Sequence, residues 1–416
     1  LYAQNSARYF TPASNTKIFT LFTALQFLPD KVPALKYLSQ NDTLYVQGTG
    51  DPSFLHPFLK DSTALKFLRQ YQNITLHLNN FQEDRFGPGW SWTDYQYYYQ
   101  PERSPLPLYG NVVTIFSDDT VNVKPSYFED KVINIDYTRQ RELNENIFYY
   151  GKSRRDTVEI PFKTDSTLTR ILLEDALGKQ ISLTDKIPLG DKIDLIDGNP
   201  PKNAIKKALG NRVNLPTERK SDSAAGDQIN SAGRKKSQEM DILQGIPADS
   251  LYRRMMLESD NMIAEQLLIV ASSTLSDTLS SSLVRDSVLN NQLSELRQPP
   301  RWVDGSGLSR YNLFTPESIV VVLQKLYQQI PRERLFELFP AGGVSGTLEN
   351  WYAGDPEPYL HAKTGSLGNN HCLSGYLVTK SGKTLIFSFM NNHFRSPSSE
   401  VKNRMQRIFE EIRDGY

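Results

Sequence analysis

One cysteine, Cys372, stands among 416 residues, so no disulfide can close within the chain. That suits the cytosol and equally suits an envelope protein that uses no disulfides. No uninterrupted apolar run approaches the roughly 20 residues that a membrane-spanning helix needs, so no transmembrane segment is expected. Net charge is missing as well. Lys plus Arg and Asp plus Glu each number 47, which leaves no global basic field to attract nucleic acid or an anionic membrane. The five histidines, at 56, 77, 361, 371 and 393, show neither HExxH nor paired-ligand spacing, so no metal or other cofactor is expected. Gly48-Thr49-Gly50-Asp51-Pro52 lacks the GK[ST] that would complete a phosphate-binding loop. The chain begins at Leu1 without a signal peptide, which reads as the loss of a native N-terminus together with any targeting segment.

What is present fits a globular protein of two or three folding units, with 38% hydrophobic and 23% charged residues. Residues 1–10 read as a strand. Behind Pro12, apolar residues Ile18, Leu21, Phe22 and Leu25 recur at helical spacing until Pro29. Residues 44–50 and 74–80 read as short strands, 86–111 as a shaped loop, and 112–190 as a β-rich module. The polar stretch 217–239 is the best linker candidate. Helical patterns return at 249–271 and at Thr315-Pro316-Glu317, where a cap precedes a first-turn proline. Strands follow at 359–364, 372–379 and 384–391, and an amphipathic helix at 398–413 closes the chain. This order predicts an α/β sandwich split by a large insertion.

Three short motifs carry the chemistry. Ser14-Asn15-Thr16-Lys17 has the form S-x-x-K, Ser259-Asp260-Asn261 the form S-x-N, and Lys363-Thr364-Gly365-Ser366 contains K-T-G. The first two are weak alone: S-x-x-K recurs at Ser399–Lys402 and S-x-N at Ser39–Asn41. Together, in this order and these settings, they are a strong signal. A serine hydroxyl is a poor nucleophile until a base takes its proton, and one helical turn brings Lys17 within reach of Ser14. Burial and a neighbouring cation, Lys363, would depress the lysine's proton affinity. The helix start at Ser14, with an N–H at Ser366, offers an oxyanion hole. Ser259 suits proton relay to a leaving amine, and the Asn261 amide suits a substrate carbonyl. Lys363, Thr364 and Ser366 suit a terminal carboxylate, while Gly365 would let a substrate backbone approach the strand. His361 and Cys372 flank that strand and read as structural.

With these blocks the sequence resembles the class C low-molecular-mass penicillin-binding proteins, the D-Ala-D-Ala carboxypeptidase/endopeptidase family (peptidase family S13). Besides the three motifs, the resemblance rests on Gly48 to Pro52, Met255-Met256 through Glu265-Gln266, Asp304-Gly305-Ser306-Gly307-Leu308-Ser309-Arg310, Pro340 through Leu348, and Leu373-Ser374-Gly375-Tyr376. Ser14 and Ser259 lie about 245 positions apart, far more than in compact serine β-lactamases, which implies inserted domains. The resemblance implies a penicillin-binding, serine β-lactamase-like transpeptidase fold, an antiparallel sheet flanked by helices, from residues 1–45 and 225–416. A β-rich insertion, two small domains, would occupy 46–224. It also implies a serine D,D-peptidase of the bacterial envelope, periplasmic or secreted. Its partners would be peptidoglycan stem peptides as substrate and β-lactams as covalent inhibitors. Asp94, Tyr99 and Arg310 would recognise the side chain of a diamino-acid stem residue, which requires the insertion to fold back over the cleft. Trp90 and Trp92 read as core. Gly368 and Trp351 depart from the family, which often carries a longer side chain at the first and an arginine at the second. A β-lactamase and a catalytically silent peptidoglycan- or β-lactam-binding protein are the alternatives.

Overall fold

The computed structural model describes residues 2–118, 120–188 and 239–416, so residues 217–238 of the expected linker lie outside the described residues. The first ten residues do not form the expected strand. Only Phe10 pairs, exchanging backbone hydrogen bonds of 2.8 and 2.9 Å with Phe314. Pro12, without an N–H, cannot extend the ladder. Ala13–Asn15 form one 3₁₀ turn and α1 follows at Thr16–Phe27. Every residue from Thr16 to Leu25 is buried, so this helix is enclosed all round. Leu28 is extended, as the residue before Pro29 should be.

The antiparallel hairpin of β1 (Lys31–Gln40) and β2 (Thr43–Gly48) comes next. Helix α2 (Thr63–Arg69) carries the chain across to β3 (Asn73–His77), parallel to β2. A small antiparallel sheet follows from β4 (Val112–Ser117) and β5 (Val121–Lys124). After the short parallel pair β6 (Val132–Ile133) and β7 (Phe148–Tyr149), β8 (Val158–Pro161) joins β4 on its other side. The β-rich module also holds a helix, α3 (Ser166–Leu177). Asp165 caps it by accepting from Leu168 N at 2.8 Å, and left-handed Gly178 ends it. β9 (Ser182–Leu183) and β10 (Asp241–Pro247) complete a mixed sheet ordered β10-β1-β2-β3-β9.

The helix expected over 249–271 is two helices, α4 (Ala248–Leu257) and α5 (Asn261–Ser272). Ser259 breaks them with a φ of 59°, and Asp260 caps α5. Helices α6 (Ser281–Asn290), α7 (Pro316–Gln329) and α8 (Arg332–Leu338) follow. Thr315 caps α7 as its sequence predicts, accepting from Ser318 N at 3.1 Å. The antiparallel strands β11 (Leu360–Leu367), β12 (Asn370–Val378) and β13 (Thr384–Asn392) lead into α9 (Ser398–Gly415).

Period-two alternation sorts β12 into two layers. Cys372 and Tyr376 face a core shared with α1, α5 and α7, while Leu373 and Leu377 face Val401, Met405 and Phe409 of α9. The sheet is thus the middle layer of the expected α/β sandwich. A separate apolar cluster from Leu35 to Ile181 forms the core of the insertion. Val32 belongs to the first cluster and Leu35 to this one, so β1 bridges the two, and position 45 lies inside β2. No helix among the described residues is long and apolar enough to cross a membrane.

Candidate active site

The S-x-x-K segment is pinned to the sheet by its second residue. Buried Asn15 donates from Nδ2 to Lys363 O at 2.8 Å, and its Oδ1 accepts from Ser374 Oγ at 2.6 Å. Gly365 allows this contact: a Cβ there would sit 2.4 Å from Pro12 O and 2.9 Å from Asn15 N. The close approach at Gly365 is therefore made by the protein's own Pro12–Asn15 turn, whereas the sequence alone assigns it to a substrate backbone.

Lys17 lies one turn from Ser14 and is fully buried. Its Nζ meets three oxygens: Asn261 Oδ1 at 2.6 Å, Ser306 O at 2.7 Å and Ser14 Oγ at 3.1 Å. Burial pulls its pKa down to about 8, against the raising influence of Asp304, Glu265 and Asp260. A neutral amine has two N–H groups and one lone pair. The two short contacts, to oxygens that only accept, match the N–H groups, and the long one places the lone pair toward the Ser14 hydroxyl. This arrangement can deprotonate Ser14.

Asn261 opens α5, and its two amide atoms are spoken for. Oδ1 accepts from Lys17, and Nδ2 donates to Tyr99 O of the insertion at 2.8 Å. Ser259 Oγ accepts from Lys363 Nζ at 3.0 Å, and Lys363 also donates to Thr364 O at 3.1 Å. Lys363 is fully buried, and burial first, then the charge of Lys17, holds its pKa well below the usual lysine range. Thr364 Oγ1 donates to Thr347 Oγ1 at 2.8 Å, and exposed Ser366 Oγ lies 3.0 Å from His371 Nδ1.

Ser14, Ser259, Asn261, Thr347, Thr364, Ser366 and His371 line one cavity of about 900 Å³, while buried Lys17 and Lys363 stand behind that lining. Asp94, Tyr99 and Arg310 line the same cavity, so the insertion does fold over the cleft. The Tyr99 hydroxyl is bonded to the Asp94 carboxylate. Burial first, with that carboxylate's charge, pushes the phenol up to about 12. Arg310 Nη2 donates to Gly368 O at 3.1 Å, and a Cβ on Gly368 would lie 3.3 Å from that nitrogen. The small residue leaves the guanidinium its place.

Two expectations need correction and one needs refinement. Trp92 opens a short 3₁₀ helix and is 73% exposed, so it is not core. Trp90 is half-buried and works as a polar anchor, donating from Nε1 to Asp304 Oδ2 at 2.9 Å. The second S-x-x-K copy is the one to refine: its Lys402 reaches the cavity rim and stands 4.5 Å over the Trp351 ring. His361 stacks on Phe336, and buried Cys372 has its thiol pushed up to about 12 by desolvation. Motif reading marked the Asp304 loop but gave its backbone no role. Buried Asp304 accepts from Gly307 N, Ser309 N and Asn312 Nδ2 at 2.7–2.8 Å, shaping the turn that presents the Ser306 carbonyl to Lys17. The D-G-S-G run was visible, but a backbone carbonyl leaves no residue signature.

The sequence profile of the D-Ala-D-Ala carboxypeptidase 3 (S13) family matches residues 1–141 and 160–412. Penicillin-sensitive carboxypeptidase A of Dictyostelium discoideum is 23% identical over 98% of this chain and 83% of its own length. D-alanyl-D-alanine carboxypeptidase DacB of Haemophilus influenzae is 29% identical over 41% of this chain and 37% of its own. The crystal structure of penicillin binding protein 4 (dacB) from Haemophilus influenzae aligns with a TM-score of 0.68. That alignment covers 100% of this chain and 93% of the other at 18% identity, a likeness of fold.

Proposed function

The chain belongs to the D-Ala-D-Ala carboxypeptidase 3 (S13) family, serine-type hydrolases, and from that premise we propose an acyl-enzyme mechanism centred on Ser14. Ser14 Oγ attacks the carbonyl of the penultimate D-alanine while its proton passes to Lys17. The tetrahedral oxyanion rests on backbone N–H groups at Ser14 and Ser366. Collapse breaks the C–N bond, and the leaving amine takes a proton through Ser259, which Lys363 holds. Water then hydrolyses the ester, returning Ser14. Lys363, Thr364 and Ser366 receive the terminal carboxylate, and Gly365 keeps their strand packed on the nucleophile turn. The Asn261 amide braces Lys17 and borders the substrate's path.

The substrate we propose is a peptidoglycan stem peptide, either a D-Ala-D-Ala terminus or a D-Ala–diaminopimelate cross-link, which sets the site of action in a bacterial envelope. Asp94 and Arg310 match an ammonium and a carboxylate on a diamino-acid side chain, and the Tyr99 ring covers its aliphatic stem. β-Lactams would acylate Ser14 because they present the same carbonyl and carboxylate. The chain before about residue 45 and after about 225 would be the catalytic unit, and the stretch between them the insertion. The approach of Lys17 Nζ to within 3.1 Å of Ser14 Oγ carries this reading.

Mass spectrometry after benzylpenicillin tests it. A lasting adduct on Ser14 is expected. Rapid turnover would mean a β-lactamase, and no adduct would end the proposal. Digestion of defined muropeptides then separates terminal trimming from cross-link cleavage.

A further inference from the structure

The Ser306 carbonyl that receives Lys17 is itself held. Ser306 N donates to Glu265 Oε1 at 2.7 Å. Glu265 is 1% exposed and follows Asn261 by four residues on α5, so one helix face reaches Lys17 twice. Asn261 touches the amine directly, and Glu265 acts through the Ser306 backbone, holding the N–H of the residue whose carbonyl, in the next peptide unit, receives Lys17. Gly305 packs so closely on α5 that a Cβ would lie 2.5 Å from Ala264 O, which fixes the loop against the helix. The second Glu265 oxygen faces Arg103 Nη1 of the insertion at 3.6 Å. Arg103 is 2% exposed and oriented by Glu83 at 2.9 Å and by the carbonyls of Asp84 and Phe86 at 2.8–3.2 Å.

We propose that Glu265 is a positioning residue for Lys17, fixing the carbonyl that orients the amine and placing a negative charge behind it, and that the insertion holds Glu265 through Arg103. Nothing in the three motifs needs a buried carboxylate here, and a fully enclosed Glu costs stability unless its charge is used. The charged groups around Lys17 are Glu265 on α5, Asp260 at its cap, Asp304 on the loop and Lys363 on β11. Burial first, then the charge of Asp304, pushes the Glu265 carboxyl above its usual range, and Arg103 and the Ser306 N–H pull it back toward the charged form; Arg285 lies nearby. Glu265 and Asp304 favour the ammonium, offsetting burial and keeping the amine's titration near neutral pH.

This rests on the reading of Lys17 as the base. Its test is the pH profile of acylation by a fluorescent penicillin in the full chain. If the wild type is not labelled, the base assignment fails and Glu265 is not at issue. With a labelled wild type, two variants separate charge from reach. Glu265→Gln keeps an acceptor for Ser306 N but loses the charge, so the midpoint should move down by about one pH unit. Glu265→Asp keeps the charge but falls short of Ser306 N, so the midpoint should stay while the plateau rate drops about tenfold. Unmoved midpoint in Glu265→Gln together with an unchanged plateau in Glu265→Asp overturns the proposal, as does the same uniform loss of plateau in both. If Glu265→Gln does not fold, Glu265→Asp decides by itself: a lowered plateau at the wild-type midpoint supports the role, and any other profile overturns it.

Discussion

Raising the pH from 7 to 9 should speed acylation of Ser14 roughly tenfold. Burial takes the Lys17 pKa from 10.5 to about 8. At pH 7 roughly a tenth of the chains then hold the free amine, and at pH 9 roughly nine-tenths do. Only the free amine can accept the serine proton, so the second-order rate constant for acylation should trace that fraction. Stopped-flow acylation by a fluorescent penicillin at constant ionic strength measures it, since the drug's carboxylate stays ionised throughout the range. Lys363 complicates the high-pH end mildly. The Lys17 charge is one cause of its depressed pKa, so loss of that charge lets Lys363 hold its own proton better. The same shift bears on stability with a definite sign. A lysine whose folded pKa is lowered adds stability only as pH rises. Its cost, on the order of 3 kcal/mol for fully buried Lys17, is complete below about pH 8 and fades toward its unfolded pKa. Acylation that is flat or falling between pH 6.5 and 9 would refute the free-amine base. A midpoint near 10 would refute the account of burial.

Ser14→Ala should abolish labelling while shifting the melting temperature by no more than about a degree, because among the described residues the half-buried hydroxyl bonds only Lys17. Persisting label at another serine would displace Ser14 as nucleophile. Asp94→Ala should slow cleavage of diaminopimelate-containing peptides by roughly one to two decades and leave a small D-Ala-D-Ala mimic almost untouched. Equal losses on both would make Asp94 structural. Gly365→Ala should destabilise by about 1–3 kcal/mol and cut acylation more than tenfold, since the new methyl group meets Pro12 O at 2.4 Å. Denaturant melts and labelling together check this, and an unaffected variant would contradict the packing of β11 on the nucleophile turn.

The motifs were legible because their chemistry demands particular side chains, and the three final strands because each is locally complete with its neighbour. What escaped was non-local or made of backbone. β1 contains Pro33, and although it forms a hairpin with β2, its other edge is paired by a strand some two hundred positions later, which no local pattern announced. The run 249–271 is apolar enough for one helix, and only Ser259's left-handed backbone divides it. Helix α3 could have been found from Asp165 and Gly178, its two caps, inside a region that β-type runs dominated. Residues 2–10 carry Tyr and Phe side chains that suit a strand, but among them only Phe10 makes a β-bridge, to Phe314. Trp92 was expected inside on hydrophobicity alone, although many apolar side chains remain on a protein's surface.

The partners of Lys17 stand 3, 244 and 289 residues from it in sequence. The nucleophile turn further leans on Lys363 and Ser374, 348 and 359 residues beyond Asn15. During synthesis the serine and its lysine therefore emerge long before anything can desolvate or orient them. An exposed lysine at neutral pH is almost wholly protonated, so the nascent serine is as inert as any other. On the mechanism proposed above, reactivity would switch on only when the ribosome has supplied β11 and β12 and the chain has closed upon itself. A prematurely terminated chain lacking those strands would carry the serine without the groups that activate it, and neither substrate nor drug would be consumed before folding is done.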